Sequence, residues 1–116
     1  MTNDDVTRLQ AVLELIDGIL DTTRGQAFDH IRGNFLYERA VERTVELISE
    51  AEDVLPDDLL ARYLDVDFAP VLTLAQKLLD NDYRIQTDEM WKLLTKQLPK
   101  LRTGIMSIFA DVNYEI

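Results

Sequence analysis

Apolar residues in this chain return at steps of three and four, and they do so in every long segment. In the first segment Leu9, Val12, Leu13, Ile16, Ile19 and Leu20 fall on one stripe of a 3.6-residue repeat. A chain patterned this way can bury its apolar side chains only as amphipathic helices packed on one another. Asn3, Asp4 and Asp5 ahead of the stripe offer capping side chains and negative charge at the positive end of the helix dipole. Thr22, Thr23 and Gly25 mark its exit, and Gln26 to Ile31 reads as a helical turn.

The same period continues downstream. A second long helix is expected from Asn34 through Val41, Val45, Ile48 and Ala51 to about Leu55, where Pro56 blocks continuation. Asp57 and Asp58 are placed to cap a short helix through Leu59, Leu60 and Tyr63, and Leu64 to Phe68 reads as extended. Pro70 opens another helix that turns Val71, Leu74, Ala75 and Leu78 inward and fades at Asp80-Asn81-Asp82. The last long helix starts at about Thr87 and repeats Met90 or Trp91, Leu94, Leu98, Leu101, Ile105 and Ile108, with Pro99 set to kink or restart it. Trp91 reads as core. No segment alternates as a strand does, and no linker or internal repeat divides the chain. The expected fold is all-α, an antiparallel bundle of about four long helices plus short ones, in one domain over residues 1–116.

Composition narrows the function classes. With 22 acidic against 12 basic residues the formal net charge is -10, a field that disfavours RNA, DNA and anionic membranes as partners. There is no Cys, which removes disulfides and thiolate metal sites, and an acidic N-terminus without a long apolar run points to the cytoplasm and away from the membrane. Glu38, Glu42, Glu46 and Glu50 recur every fourth residue, a spacing also used by di-metal bundles. Such centres need Glu-x-x-His pairs, and the single His, His30, lies outside the long helices, so a solvated face carrying Arg39–Glu42 and Arg43–Glu46 pairs is expected and no metal or cofactor. His30 follows Arg24 by six residues, a spacing that crosses Gly25 and reads as surface rather than as a phosphate-cleaving pair.

Two stretches carry a resemblance. Residues Arg39 to Ala51, followed by Leu55-Pro56 and Ala61-Arg62-Tyr63, resemble the central helix and turn of the HepT-like family of HEPN-domain proteins. Trp91 with Gln97-Leu-Pro-Lys-Leu101 is similar to that family's last helix and its Leu-Pro break, and the likeness extends from about Leu9 to Ile108. It implies a homodimeric helical bundle acting as the ribonuclease toxin of a toxin-antitoxin pair, with an MntA-type nucleotidyltransferase antitoxin as partner. It also implies an active site of the form Arg-x4-His-x-Tyr, whose Tyr the antitoxin blocks by adding AMP.

This chain departs from that motif. Anchored on Tyr83, Gln76 takes the Arg position and Asn81 the His position, with Lys77 beside them. Counted back from Trp91, the three positions are Ala75, Asp80 and Asp82. Arg grips a phosphate through two parallel hydrogen bonds and His exchanges a proton near neutral pH, and neither Gln nor Asn does either. The expectation is a diverged HepT-like protein without standard ribonuclease activity, acting by dimerisation or by binding a nucleotidyltransferase, with Tyr83 as candidate modification site. Two alternatives stay open: an active ribonuclease using Lys77, Asp80 and Tyr83 or His30, and an unrelated helical interaction protein.

Overall fold

A computed structural model of the chain describes residues 1–112; residues 113–116, which the expected single domain includes, lie outside the described residues. The helices are α1 (Asn3–Thr23), α2 (Phe28–Arg32), α3 (Phe35–Asp53), α4 (Asp57–Arg62), α5 (Ala69–Leu78), α6 (Thr87–Lys92) and α7 (Leu98–Asp111). A π-helical turn, Leu93–Gln97, joins α6 to α7. There is no strand among the described residues, and the fold is an all-α helical bundle.

Each long helix sits where its stripe requires. α1 packs on α3 and α7, α3 packs on α5, and α5 closes the ring against the π turn. Val12, Ile16, Val41, Val45, Ile48, Leu98 and Ile105 meet at the centre and are fully buried. Removing such a side chain from water stabilises the fold by about 1.5–3 kcal/mol. Asp17 on α1 accepts from Arg102 on α7 at 2.6 Å, while Leu20 and Thr23 near the end of α1 share a groove with Leu94 and Thr95. The two helices therefore run antiparallel.

Helix ends follow local chemistry, with three departures from the sequence reading, one being that Pro56 and not Asp57 or Asp58 stands at the N-cap of α4, whose first turn holds both acids without a side-chain cap. The N-cap of α1 is Thr2 rather than the Asn3–Asp5 cluster: the Asp5 amide donates to Thr2 Oγ1 at 3.1 Å, and the Thr2 amide donates to Asp5 Oδ2 at 3.0 Å. α3 starts next to Asn34 as expected, and Asn34 is its N-cap, with Oδ1 accepting from the amides of Leu36 and Tyr37. Gly25, at φ 76°, turns the chain out of α1 in a conformation that costs a side-chain-bearing residue energy.

The third departure concerns Leu64 to Phe68, which is a turn and not an extended segment. The Val66 amide donates to the Tyr63 carbonyl at 3.0 Å, and the turn crosses α7 directly over Gly104. A Cβ at this position would stand 3.2 Å from Val66, tight enough that the turn would have to give way slightly. At the other end of the same helix Pro99 lacks an amide hydrogen and its ring would collide with the carbonyl four residues back. The chain answers by widening one turn, in which the Leu98 amide donates to the Leu93 carbonyl, and the helix continues in a new register.

Candidate functional site

The segment from Gln76 to Glu89 spans the end of α5, the loop after it and the first turn of α6. Asp80 organises that loop: its Oδ1 accepts from the Asp82 amide at 2.9 Å, and its carbonyl accepts from the Tyr83 amide at 3.0 Å. Arg84 folds back over the loop and donates to the carbonyls of Asn81 and Tyr83 at 3.0 and 2.8 Å. The loop is thereby held in one shape, with Tyr83 half-buried and the Gln76 and Asn81 side chains exposed.

Of the sequence candidates, the structure brings Lys77 and Tyr83 together through a third residue, Glu89. Lys77 Nζ donates to Glu89 Oε2 at 2.6 Å, the Tyr83 hydroxyl donates to Glu89 Oε1, and the Gln86 amide donates to the same Oε1 at 2.9 Å. Lys77 Nζ also lies 5.7 Å from the centre of the Tyr83 ring. The sequence carries no signal for this role of Glu89, because contacts between residues twelve apart across an irregular loop leave no periodic trace.

Mutual neutralisation sets the protonation of this cluster. Burial works to raise the Glu89 carboxyl, but the hydrogen bonds from Lys77, Tyr83 and the Gln86 amide together hold it below the ordinary glutamate range. Hydrogen bonding to Glu89 raises Lys77 against a smaller desolvation effect. Burial, then the hydrogen bond and charge of Glu89, push the Tyr83 hydroxyl up, with Lys77 opposing. At neutral pH the three are a cation, a carboxylate and a neutral phenol. None is poised near pH 7, where proton transfer in catalysis is most effective.

A second carboxylate fixes the far side of the loop. Glu42, expected on the solvated face of α3, is instead buried at 7% exposure. It ion-pairs with Arg39, whose guanidinium stacks 4.6 Å from the centre of the Phe35 ring, and its Oε2 accepts from the amide of Ile85 at 3.3 Å. Ile85 is buried too, so the loop enters α6 through an apolar plug and a polar clasp. Arg43 reaches Glu50 at 3.9 Å instead of Glu46. Among the described residues no group of three or more His, Asp or Glu is placed to hold a metal ion.

The remaining candidates lie elsewhere. His30, on α2, is exposed and packs edge-on against Tyr37 at 5.7 Å between ring centres, and Arg24 pairs with Asp21 at 3.0 Å. Trp91 is 49% exposed and not core. Met90 takes the buried position one residue earlier, and Trp91 meets the edge of Phe28 at 5.0 Å, over a groove between the end of α1 and the π turn. In the Trp91 register, Ala75 is half-buried and Asp80 is occupied in shaping the loop, so neither register assembles an Arg with a His.

An all-α bundle with a tightly cross-linked loop between its third and last long helices is thus the class of protein in hand. The chain is similar to "Putative RNase MJ0127" of Methanocaldococcus jannaschii, 28% identical over 107 residues that cover 92% of this chain and 88% of the relative. It is similar to "Putative RNase MJ1216" of the same organism, 23% identical over 105 residues, 90% and 87% of the two chains. A bacterial relative, "Putative RNase TTE0752" of Caldanaerobacter subterraneus subsp. tengcongensis, is 21% identical over 100 residues, 86% and 89% of the two chains. No family model matches the sequence, and no solved structure does. No helix among the described residues is long and apolar enough to cross a membrane.

Proposed function

We propose that this chain is a HepT-like protein that has kept the ribonuclease scaffold and lost its standard chemistry, and that it works by binding, as a homodimer or as the partner of an MntA-type nucleotidyltransferase. Similarity along most of the chain to proteins with ribonuclease names supports the scaffold. The observation that carries the loss of chemistry is the cluster itself. Of the two cations beside the motif positions, Lys77 is held by Glu89 and Arg84 is folded onto the carbonyls of Asn81 and Tyr83, while Gln76 and Asn81 supply no proton that titrates near neutrality. RNA cleavage through the 2'-hydroxyl needs a proton acceptor, a proton donor and positive charge on the phosphate, and the two cations of this segment are turned to Glu89 and to the loop's own carbonyls.

Purification from the native host, followed by intact-mass measurement, tests the reading. A co-purifying nucleotidyltransferase, or a mass increase of one AMP that Tyr83→Phe abolishes, is the expected result. A strictly monomeric protein with neither would overturn it.

A second reading draws on the relatives' names: a ribonuclease in which Lys77 and Tyr83 contact the phosphate and Glu89 takes the proton. It requires Glu89 to release both partners when RNA binds. RNA turnover that Glu89→Gln reduces at least about a hundredfold, the usual loss when acid-base chemistry is removed, and that Lys77→Ala and Tyr83→Phe also reduce, would select it.

A further inference from the structure

α5 carries a second row of apolar residues along the rim of the core, where Leu72 and Ala75 pack against it and stay partly open to solvent. Leu72, Ala75, Gln76 and Leu79 follow one another at helical spacing along the groove between α3 and α5. Leu72 and Ala75 are half-buried in its floor, and Leu79 is 73% exposed at its end. Spacing of i, i+3 and i+7 is what a helix presents to another helix packed on it, and α3, α7 and the π turn are already accommodated elsewhere.

The opposite wall is charged, and with one sign. Glu46, Glu50, Glu52 and Asp53 rise from α3 along about two turns. Arg43 touches Glu50 at 3.9 Å with both side chains well exposed, a contact too loose and wet to neutralise the wall. Burial, and then the charges of Asp53 and Asp57, raise the Glu52 carboxyl, so the wall gains when a cation arrives. RNA phosphates meet repulsion here, beside the position that aligns with the family's catalytic Arg.

We infer that the α3–α5 groove is a docking site for an amphipathic helix of a partner protein, with apolar residues seated on Leu72, Ala75 and Leu79 and flanking Lys or Arg side chains facing the acidic wall. This inference rests on the binding role proposed above and names the chemistry of the partner. A second copy of this chain is a poor occupant, since at a formal net charge of -10 it brings like charge to the groove.

The test uses a synthetic helical peptide with Leu at i, i+3 and i+7 and Lys on both flanks, beside a peptide of identical composition with its leucines scattered. The ordered peptide is expected to bind the full chain at least about tenfold more tightly than the scattered one, a difference of about 1.4 kcal/mol. Leu79→Asp and the double change Glu46→Lys, Glu50→Lys are each expected to cost about tenfold or more, and amide exchange should slow on α3 and α5. Raising salt from about 50 to about 500 mM should weaken binding, as screening of the acidic wall requires.

Equal binding of both peptides, or unchanged binding after Leu79→Asp, overturns the inference by reducing it to diffuse charge attraction. A dimer of the free chain that Leu79→Asp dissociates also overturns it, since the groove is then filled by a second copy. The two proposals fail separately. A protein that cleaves no RNA, yet ignores the ordered peptide, loses this groove and keeps its binding role. One that takes the peptide and also cleaves RNA loses the non-catalytic reading and keeps the groove.

Discussion

Lys77 Nζ lies 2.6 Å from Glu89 Oε2, a bond that ties the last turn of α5 to the first turn of α6 and closes the loop between them over Tyr83. Glu89 is the hub, and its removal has a definite electrostatic consequence. In Glu89→Ala the hydrogen bond and negative charge that raise the Tyr83 hydroxyl are gone while Lys77 remains, so the phenol should titrate at lower pH than in the parent chain. Carbon NMR of the tyrosine ring checks this, and an unmoved titration would remove Glu89 from the account.

The same cluster gives stability a pH dependence. Glu89 is depressed in the folded chain, so its contribution is complete above the ordinary glutamate range, about pH 4.3, and is lost as pH falls through its lower folded value. Lys77 is raised, so its contribution is present below the ordinary lysine range and is lost as pH rises through the higher folded value. Denaturant midpoints of the parent and of Glu89→Gln should therefore converge in acid and differ most between those limits.

Glu42 is expected to matter more for the loop than for α3. Glu42→Ala strands the Ile85 amide and frees Arg39, at a cost of about 1–3 kcal/mol. Glu42→Gln keeps an acceptor and should cost less. Amide exchange is expected to quicken in residues 81–86 in both variants, more strongly with Ala; uniform quickening across α3 instead would show that the clasp serves the helix and not the loop.

Two glycines make opposite predictions. Gly18 sits within α1 with nothing within 4 Å of an added Cβ, and Gly18→Ala should stabilise the chain by about 0.5–1 kcal/mol. A Cβ on Gly104 would stand 3.2 Å from the Val66 Cα, so Gly104→Ala must shift the Val66 backbone by a few tenths of an ångström and should destabilise by about 1–3 kcal/mol. Thermal or urea unfolding separates the two by sign alone.

These particulars show where the sequence was sufficient and where it was not. The long helices follow from apolar period and from Asn34, Pro70 and Pro99, because a stripe and its stop signals are local properties of the chain. Trp91 was misread because periodicity cannot choose between adjacent positions, and Met90 and Trp91 compete for one inward site. Glu42 was misread because a fourfold run of Glu reads as one face, while the arrival of Ile85 from 43 residues away decides which member turns inward. In the candidate site the missing Arg and His were plain in the sequence. The coupling of Lys77 and Tyr83 through Glu89 was not, since it depends on how one irregular loop folds back.

Trp91 is the single tryptophan, so its fluorescence reports on the groove beside Phe28 without interference. Its emission should be that of a half-exposed indole and be quenched readily by acrylamide. Trp91→Ala should cost well under the roughly 3–5 kcal/mol of a buried aromatic. A blue-shifted, protected emission would return Trp91 to the core.

The central claim is that the helical scaffold persists without standard ribonuclease chemistry, and incubation of the purified chain with single-stranded RNA tests it most directly. The account predicts no cleavage above the buffer control, with parent, Gln76→Ala and Asn81→Ala indistinguishable. Cleavage that survives repeated purification and disappears in Lys77→Ala or Tyr83→Phe would contradict it.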